Sequence, residues 1–213
     1  MNIKKIGHCC LLIKTDRITI LTDPGVFSTG QNTVTGIDLI LITHEHADHF
    51  HIDSLKEVLK NNPQAQVVTN SGVGTKLKEL NIPFSLLEGQ QTTSIKEVLI
   101  EAFDGKHGEV FEELMQVQNT GYFIDSKLFY PGDSYIYPNK PVEVLALPVA
   151  GGWCKVPEFM RYVLEVKPKI AFPVHDGYFL PGRFGVSHKI PNEELPKHGI
   201  EFVIMNEGDE REF

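Results

Sequence analysis

Four side chains with metal-binding chemistry lie within six consecutive positions, and they are His44, His46, Asp48 and His49. Because side chains alternate in an extended turn, His44 and His46 point the same way and can bind one cation together. Asp48 and His49 lie further round the turn and can reach a second cation. Borderline metals such as Zn²⁺ accept both imidazole nitrogen and carboxylate oxygen. The cluster therefore predicts a metal site, with a polar loop of coincidental histidines as the alternative.

The flanking sequence places this cluster between a strand and a helix. Residues 37–42 are an apolar run typical of a buried strand, and Leu55, Val58 and Leu59 follow the cluster at helical spacing. The cluster thus lies beyond the carboxyl end of a strand, where open α/β sheets build their sites.

Strands and helices alternate along the chain, which is typical of an α/β fold. Further strands are predicted over residues 9–14, 17–22, 67–69, 84–87, 97–103, 121–125, 127–130, 142–148, 170–174 and 200–205, and helices over 71–80 and 156–166. The order of elements indicates two similar halves, although no sequence repeat is clear. Residues 177–191 are rich in Gly and Pro and are predicted to form a long loop, which is a candidate lid.

More ligand-type residues follow the predicted strands. His107, Asp133 and His175 each lie just beyond a strand end. Asp23 also ends a strand, where capping a turn is the favoured interpretation from the residues alone. His8 is equally consistent with a structural histidine.

Composition limits the class of protein. The chain has 213 residues and a net charge of −8, and one domain over residues 1–213 is expected. The acidic charge disfavours a nucleic-acid backbone as the main partner. Cys9, Cys10 and Cys154 form no disulfide framework, which favours buried thiols in a reducing, cytoplasmic setting. No apolar stretch approaches the length of a membrane span, and the first residues do not resemble a signal peptide.

The order of the candidate ligands carries a family resemblance. The His-x-His-x-Asp-His segment, followed by His107, the Gly-Asp-Ser aspartate Asp133 and then His175, resembles the metallo-β-lactamase superfamily over nearly the whole chain. The opening segment 7–13 is similar to that of the branch of small hydrolases related to L-ascorbate-6-phosphate lactonase. The resemblance implies an α/β (α+β) fold. This is a four-layer αβ/βα sandwich of two mixed sheets flanked by helices, with the site at one edge between the sheets.

The same resemblance implies two divalent cations, with zinc favoured and manganese or iron left open. The implied ligands are His44, His46 and His107 for the first cation, Asp48, His49 and His175 for the second, and Asp133 as a bridge between them. Catalysis is expected to depend on His44, His46 and Asp48 in particular. Asp23 is expected to orient the histidine turn, and His8 to lie near the site.

The function implied is that of a dinuclear metal-dependent hydrolase. A hydroxide bridging the metals would attack a small ester, lactone, amide or phosphoester. The alternatives are a phosphodiesterase or nuclease acting on nucleic acid, a di-iron redox or sensor protein on the same fold, and a non-catalytic metal-binding module. The expected partner is a small-molecule substrate. No membrane association is expected, and the oligomeric state is left open, a homo-oligomer included.

Residues that would contact the substrate are poorly determined by the sequence. Arg183 and Lys155 could anchor an anionic group, although solvated surface charges explain them as well. Tyr135 and Trp153 could line the pocket or pack in the core. His51, His188 and His198 fall outside the matched positions, and His188 lies in the long loop 177–191. The segments 24–36 and 177–191 carry no interpretable motif, so the substrate is not predicted.

Overall fold

The computed structural model describes residues 1–180 and 182–213, and the strands in these ranges form two seven-stranded sheets. The strands are β1 (Asn2–Gly7), β2 (Cys10–Lys14), β3 (Thr19–Thr22), β4 (Leu39–Ile42), β5 (Gln66–Thr69), β6 (Ser85–Leu86), β7 (Thr92–Ile95), β8 (Val98–Lys106), β9 (Gln118–Ile124), β10 (Leu128–Tyr130), β11 (Val144–Pro148), β12 (Ile170–Val174), β13 (Glu201–Phe202) and β14 (Glu210–Glu212). The α-helices of the same ranges are α1 (Ile52–Asn61), α2 (Ser71–Glu79), α3 (Val156–Val166) and α4 (Val186–Glu194).

Each sheet combines an antiparallel part with a parallel part. The spatial order is β14-β1-β2-β3-β4-β5-β6 in the first sheet and β13-β12-β11-β10-β9-β8-β7 in the second. From β3 to β6 and from β10 to β13 neighbouring strands are parallel, and the remaining pairs are antiparallel. The two similar halves indicated by the order of elements are thus two sheets of like construction.

Alternation along the buried strands builds three apolar layers. In β4, Leu39 and Leu41 face the opposite sheet, whereas Ile40 and Ile42 pack against the side of α1 and α2. The outer face of the second sheet packs against Phe159 and other apolar residues of α3. The result is a four-layer αβ/βα sandwich of two mixed sheets flanked by helices, which confirms the expected fold class.

Most predicted elements are present, and α3 has the predicted bounds. The predicted loop 177–191 is wrong in its second half, because α4 begins at Val186. Ser187, His188 and Pro191 are buried in that helix, so tertiary packing stabilises it although Pro191 removes a backbone donor. Pro181, also within the predicted loop, lies outside the described residues.

Three strands are not predicted, and several predicted strands are shorter in the structure, the last one most of all. β1, β7 and β14 are not predicted, and the strand expected over 200–205 is confined to Glu201–Phe202. In β1, Lys5 occupies an inward position two residues from the core residue Ile3, so the apolar alternation is broken. Within the part of the chain that is described, no helix combines the length and apolar character needed to cross a membrane.

Candidate metal centre

The predicted ligands come together at one edge of the sandwich, between the two sheets. The His44–His49 turn follows β4 of the first sheet. His107, Asp133 and His175 follow β8, β10 and β12 of the second sheet. All of these are strand ends, which explains why ligands distant in sequence meet.

The seven residues form two clusters. His44, His46 and His107 make up one cluster, and Asp48, His49, Asp133 and His175 make up the other. Within each cluster, one nitrogen or carboxylate oxygen per residue lies within 4.8 Å of those of the other members. The grouping matches the two ligand sets that the family resemblance implies.

The Asp133 carboxylate lies between the clusters. Its Oδ2 is 2.7 Å from His175 Nε2 and 3.2 Å from His107 Nε2, and its Oδ1 is 3.1 Å from His49 Nε2. His44 Nε2 is 4.0 Å from Oδ2. This carboxylate therefore reaches nitrogen atoms of both clusters, as a ligand shared by two cations must.

A tight turn holds Asp133 in this position. Gly132 has a φ of +65°, and a Cβ there would lie 2.4 Å from Asn119 Oδ1, so only glycine fits. The same oxygen accepts a hydrogen bond from Asp133 N at 2.9 Å, and Asn119 Nδ2 donates to Pro131 O at 2.8 Å. The buried Asn119 amide thus fixes the turn that presents the carboxylate.

Asp23 is fully buried and braces the histidine turn. Its Oδ1 accepts a hydrogen bond from Thr43 N at 2.8 Å, and its Oδ2 accepts from Thr43 Oγ1 at 2.8 Å and from the Tyr130 hydroxyl at 2.6 Å. Oδ2 also lies 2.7 Å from His49 Nδ1. One carboxylate therefore fixes both the start of the turn and the ring of His49.

The partner of Nδ1 determines the tautomer of three histidines. His49 Nδ1 faces the carboxylate just described, and His107 Nδ1 faces the Gly108 carbonyl oxygen at 2.7 Å, so both nitrogens carry a proton. His44 Nδ1 lies 3.0 Å from Thr43 Oγ1. That hydroxyl already donates its proton to a carboxylate, so His44 Nδ1 is the donor here. In each neutral ring Nε2 keeps its lone pair and faces the clusters, as in histidines that ligate metals.

Several inward-facing atoms of the described residues approach one another but make no hydrogen bond. Within residues 1–180 and 182–213, the atoms that are buried without a hydrogen bond include His44 Nε2, His49 Nε2, His175 Nε2 and Asp133 Oδ1. Leaving a buried polar atom unsatisfied costs about 1–3 kcal/mol. A cation accepts these lone pairs together, so the residues present fit the divalent metals expected from the sequence.

The histidines of the two clusters differ in pKa. Burial lowers the pKa of His44 well below 6.5, so its ring is neutral and its lone pair is available. Burial also opposes protonation of His49 and His175, but the Asp133 charge outweighs it and raises the pKa of His175 to about 10 and that of His49 well above 6.5. Burial raises the pKa of Asp133, yet His175 and His49 hold it well below 3.8 overall. Without a cation, protons therefore occupy the second cluster.

His8 has the opposite arrangement from the ligand histidines. Its ring is buried 4.2 Å from that of His175, between ring centroids. Its Nδ1 accepts a hydrogen bond from the Gly177 N–H at 3.0 Å, and burial lowers its pKa to about 4, so the neutral ring carries its proton on Nε2. His8 thus directs an N–H towards Asp48 Oδ2, 3.4 Å away.

Tyr178, which sequence reasoning missed, and Trp153, for which it left a pocket wall or a core role open, both contact the centre. The Tyr178 hydroxyl donates to Asp48 Oδ2 at 2.9 Å, and its ring is 53% exposed, so it stands between the cluster and solvent. Trp153 is buried and donates from Nε1 to Asp133 Oδ2 at 3.1 Å. Only the position of Tyr178 three residues after His175 could have indicated its role.

Tyr135 lies behind Trp153 rather than in the clusters. Its hydroxyl donates to Cys154 Sγ at 3.3 Å, and its ring centroid is 5.2 Å from that of Trp153 and 5.1 Å from that of Tyr162. Tyr135 therefore supports the wall that contacts Asp133.

The remaining sequence candidates lie away from the clusters. Arg183 is exposed, and its side chain makes no ion pair within the described ranges. His188 Nε2 bonds Asp176 Oδ2 at 3.0 Å instead of facing the clusters. Lys155 is exposed and lies near Glu158. His51 and His198 belong to neither cluster.

Comparison with known proteins gives a consistent set of relatives. A family model described as a β-lactamase superfamily domain matches residues 2–175. Protein Rv0786c of Mycobacterium tuberculosis is 33% identical over 191 residues, covering 87% of this chain and 89% of the relative. A UPF0173 metal-dependent hydrolase of Nanoarchaeum equitans is 23% identical, with 99% of each chain covered. Among solved structures, the metallo-β-lactamase fold protein YhfI of Bacillus subtilis has a TM-score of 0.75 at 15% identity, covering 99% of this chain and 98% of YhfI.

Proposed function

The chain belongs to the metallo-β-lactamase superfamily as a metal-dependent hydrolase, and we propose that it uses two divalent cations to cleave a small ester, lactone, amide or phosphoester. The observation that carries this proposal is the pair of clusters around Asp133, in which several buried nitrogen and oxygen atoms make no hydrogen bond within the described residues. The narrower resemblance to the ascorbate-phosphate lactonase branch stays a prediction.

The proposed ligands are those of the two clusters, with Asp133 shared. His44, His46 and His107 would hold one cation, and Asp48, His49 and His175 the other. Bound there, two cations would supply a water of lowered pKa and positive charge opposite the oxygen that becomes negative. Zinc suits this set of imidazoles and carboxylates.

The open side of the centre is lined by hydrogen-bond donors. The Tyr178 hydroxyl and His8 Nε2–H both converge on Asp48 Oδ2, at 2.9 and 3.4 Å. We assign them two tasks, to hold Asp48 in place and to donate to a substrate oxygen that enters beside it. Such fixed donors stabilise developing negative charge without reorganising.

A neighbouring groove supports a small substrate with an apolar part. A cavity of about 890 Å³ is lined by His8 and by Phe27, whose ring centroid is 5.1 Å from that of His8, and continues past Phe179 and Phe184. Its wall also carries one lysine, Lys4, that belongs to no ion pair of the described residues. We propose that the group not being cleaved lies in this groove, in contact with the aromatic rings.

The first experiment joins metal analysis to turnover. The protein is purified without added metal, its zinc, manganese and iron are counted, and it is assayed on an aryl ester, a lactone, an anilide and a bis-phosphodiester. We expect two ions per chain and turnover that chelation abolishes and zinc restores. Failure to bind metal even with zinc or manganese supplied would refute the proposed centre, and two bound ions without any turnover would count against the hydrolase.

A pair of histidine variants makes this test specific. His46→Ala removes a member of the first cluster and is expected to lower the metal content towards one ion per chain. His198→Ala changes a histidine outside both clusters and should leave metal content and turnover at wild-type values. Equal metal content in the two variants would contradict the assignment of His46.

The cysteines support a reducing compartment. Cys9, Cys10 and Cys154 are all free and buried. Free thiols are typical of reducing compartments, so we propose that the protein works in the cytoplasm.

A further inference from the structure

The two adjacent cysteines face different layers of the sandwich. Cys9, in the turn between β1 and β2, lies in the apolar layer between the sheets, and Cys10 lies in the layer under α1 and α2. Both side chains are 1% exposed. Cys9 therefore sits on the side of the first sheet that carries the metal centre, and Cys10 does not.

The sulfur of Cys9 lies near donor atoms of two members of the second cluster, His49 and His175. Donor atoms of Cys9, His8, His49 and His175 all lie within 4.8 Å of one another. His8 presents an N–H to this group, so it is not a ligand. His49 Nε2 and His175 Nε2 are at least nine-tenths buried and have no hydrogen-bond partner in the described ranges. Two buried imidazoles, whose Nε2 atoms contact Asp133 at 2.7 and 3.1 Å without a hydrogen bond, and one thiol are thus grouped in the same buried space.

The spacing suits a common cation. Zinc–sulfur bonds are about 2.3 Å and zinc–nitrogen bonds about 2.0–2.1 Å, so a sulfur and a nitrogen on one tetrahedral zinc lie about 3.5 Å apart. In the structure every pair of donor atoms in this group lies within 4.8 Å, the same limit that the two proposed ligand clusters meet, so sulfur and nitrogen would have to draw together by at most about 1.3 Å around a cation.

We propose that Cys9 is a ligand of the cation held by His49 and His175, adding sulfur to the nitrogen and oxygen donors. On binding, the S–H bond breaks, its proton leaves to solvent, and the sulfur electron pair bonds to the cation. This rests on the proposed metal centre, but it is independent of the hydrolase reaction. The first cluster, in contrast, contains nitrogen donors only.

A sulfur donor would make the two metal positions unequal. Soft thiolate ligands select zinc or cobalt over the harder manganese, which prefers carboxylate and water. A sulfur ligand therefore disfavours manganese, one of the metals that histidines and carboxylates alone leave open. The proposal predicts that the second position discriminates against manganese.

Cobalt substitution tests the bond directly. The metal-free protein is loaded with two equivalents of Co²⁺, and its near-ultraviolet spectrum is recorded for a sulfur-to-cobalt charge-transfer band. We expect the band in the wild type, in Cys10→Ser and in Cys154→Ser, and its loss in Cys9→Ser with two cobalt ions still bound. A wild type that binds two cobalt ions without the band, or a band that persists in Cys9→Ser, would overturn the proposal.

A second measurement needs no variant and covers the case in which Cys9→Ser does not fold. X-ray absorption at the zinc edge of the wild type should require a sulfur scatterer at about 2.3 Å, averaging one sulfur over two zinc ions. A fit with nitrogen and oxygen scatterers alone would refute the Cys9 ligand. Because turnover is measured separately, the hydrolase can stand while the sulfur ligand fails, and the reverse.

Discussion

At the scale of single residues, the hydrogen bond made by one imidazole nitrogen decides what the other can do. His44, His49 and His107 donate from Nδ1, so the neutral ring of each presents its Nε2 lone pair to the centre. His8 accepts at Nδ1 from Gly177 and so presents a proton. Histidines that lie equally near the centre can therefore present either a lone pair or a proton to it. The atoms that bond Nδ1 determine which of them can be metal ligands.

Asp23→Asn tests this dependence. An amide can direct its N–H at His49 Nδ1 and disturb the tautomer that frees Nε2, so we expect metal affinity to fall by about 10–100-fold. Competition with a chromophoric chelator measures it. Asp38→Asn is the matched control, since Asp38 also accepts a backbone hydrogen bond, from Thr19 N, but lies outside both clusters. Equal affinities in the two variants would show that Asp23 does not orient the site.

Tyr178→Phe tests the donor at the open side. Loss of the hydroxyl removes one hydrogen bond to a charged group, so we expect kcat/KM to fall on the order of tenfold while two metal ions stay bound. Tyr137→Phe removes a hydroxyl that bonds Glu165 on the surface and should leave kcat/KM unchanged. A Tyr178→Phe enzyme with wild-type kcat/KM would exclude a role for the hydroxyl.

The sequence predicts the candidate ligands well, but it does not predict the contacts that surround them. The His44–His49 turn and His175 could be found because each follows a recognisable apolar strand. Tyr178 could not be found in this way, because its partner Asp48 is 130 positions away and the loop that carries Tyr178 has no periodic pattern. Lys5 and Asp176 are 171 positions apart, and nothing local indicates that they meet.

At the scale of elements, a buried ion pair joins β1 to the loop that follows β12. Lys5 is 1% exposed, and its Nζ donates to both carboxylate oxygens of Asp176 at 2.7 and 2.8 Å and to Pro173 O at 2.9 Å. His188 of α4 bonds the same carboxylate. Since Asp176 adjoins His175, this pair anchors the strand end that carries a proposed ligand.

Lys5→Met would leave the Asp176 carboxylate buried without its main partner. We expect the free energy of unfolding to fall by roughly 3–5 kcal/mol in denaturant titrations. Lys4→Met, the neighbouring position without an ion pair in the described ranges, should change it by less than about 0.5 kcal/mol. The double variant Lys5→Met, Asp176→Asn removes both charges and should recover part of the loss. Equal stability of Lys5→Met and the wild type would contradict the importance of the pair.

The pair also predicts a dependence on pH. Burial alone raises the pKa of Asp176, but hydrogen bonds from His188 and Lys5 leave it below 3.8. A carboxyl with a lowered folded pKa stabilises the protein above its unfolded pKa of about 3.9, and this contribution is lost as the pH falls through the folded value. The stability difference between wild type and Lys5→Met should therefore shrink below about pH 4. A difference that stays constant down to pH 2 would argue against the ion pair as its cause.

Elements that the sequence pattern does not predict are those that depend on tertiary packing. The sequence predicts α3 correctly because its apolar stripe repeats at helical spacing. It misses α4, whose Pro191 and preceding glycines suggest a loop, and it misses β1, where Lys5 interrupts the apolar alternation. β1 depends on partners that lie far along the chain, and α4 depends on packing against the nearby α3 and β13.

At the scale of the whole molecule, the proposed centre joins the two sheets. The first sheet supplies the His44–His49 turn, and the second supplies His107, Asp133 and His175. Cations bound by both sets would connect the sheets at their shared edge. Metal should therefore stabilise the fold as a whole rather than one loop.

Thermal unfolding checks this coupling. At a zinc concentration about 1,000 times Kd, binding adds about 4 kcal/mol, which corresponds to a rise in Tm of roughly 10 °C for a chain of this size. Scanning calorimetry of chelated and zinc-loaded protein measures the difference. His46→Ala should gain less from zinc, and His198→Ala should gain as much as the wild type. An unchanged Tm on zinc addition would contradict a bridging centre.

The overall architecture was predictable because the order of elements and the ligand spacing persist over nearly the whole chain. The predicted four-layer sandwich is present in the structure. Apart from β14, which joins the first sheet, the strands β1 to β6 form one sheet and β7 to β13 form the other. The pairing of β1 with β14 was not predictable, since it joins Asn2 to Glu212 and neither strand has an apolar pattern.

That last pairing bears on how the chain folds while it is being made. Residues 210–212, which pair with one edge of β1, follow residues 2–7 by about 200 positions, and Lys5 bonds the carboxylate at position 176. On a nascent chain, β1 therefore keeps that edge open until β14 has been made, and Lys5 lacks its carboxylate until Asp176 has been made. During that interval the unpaired edge of β1 can pair with other chains.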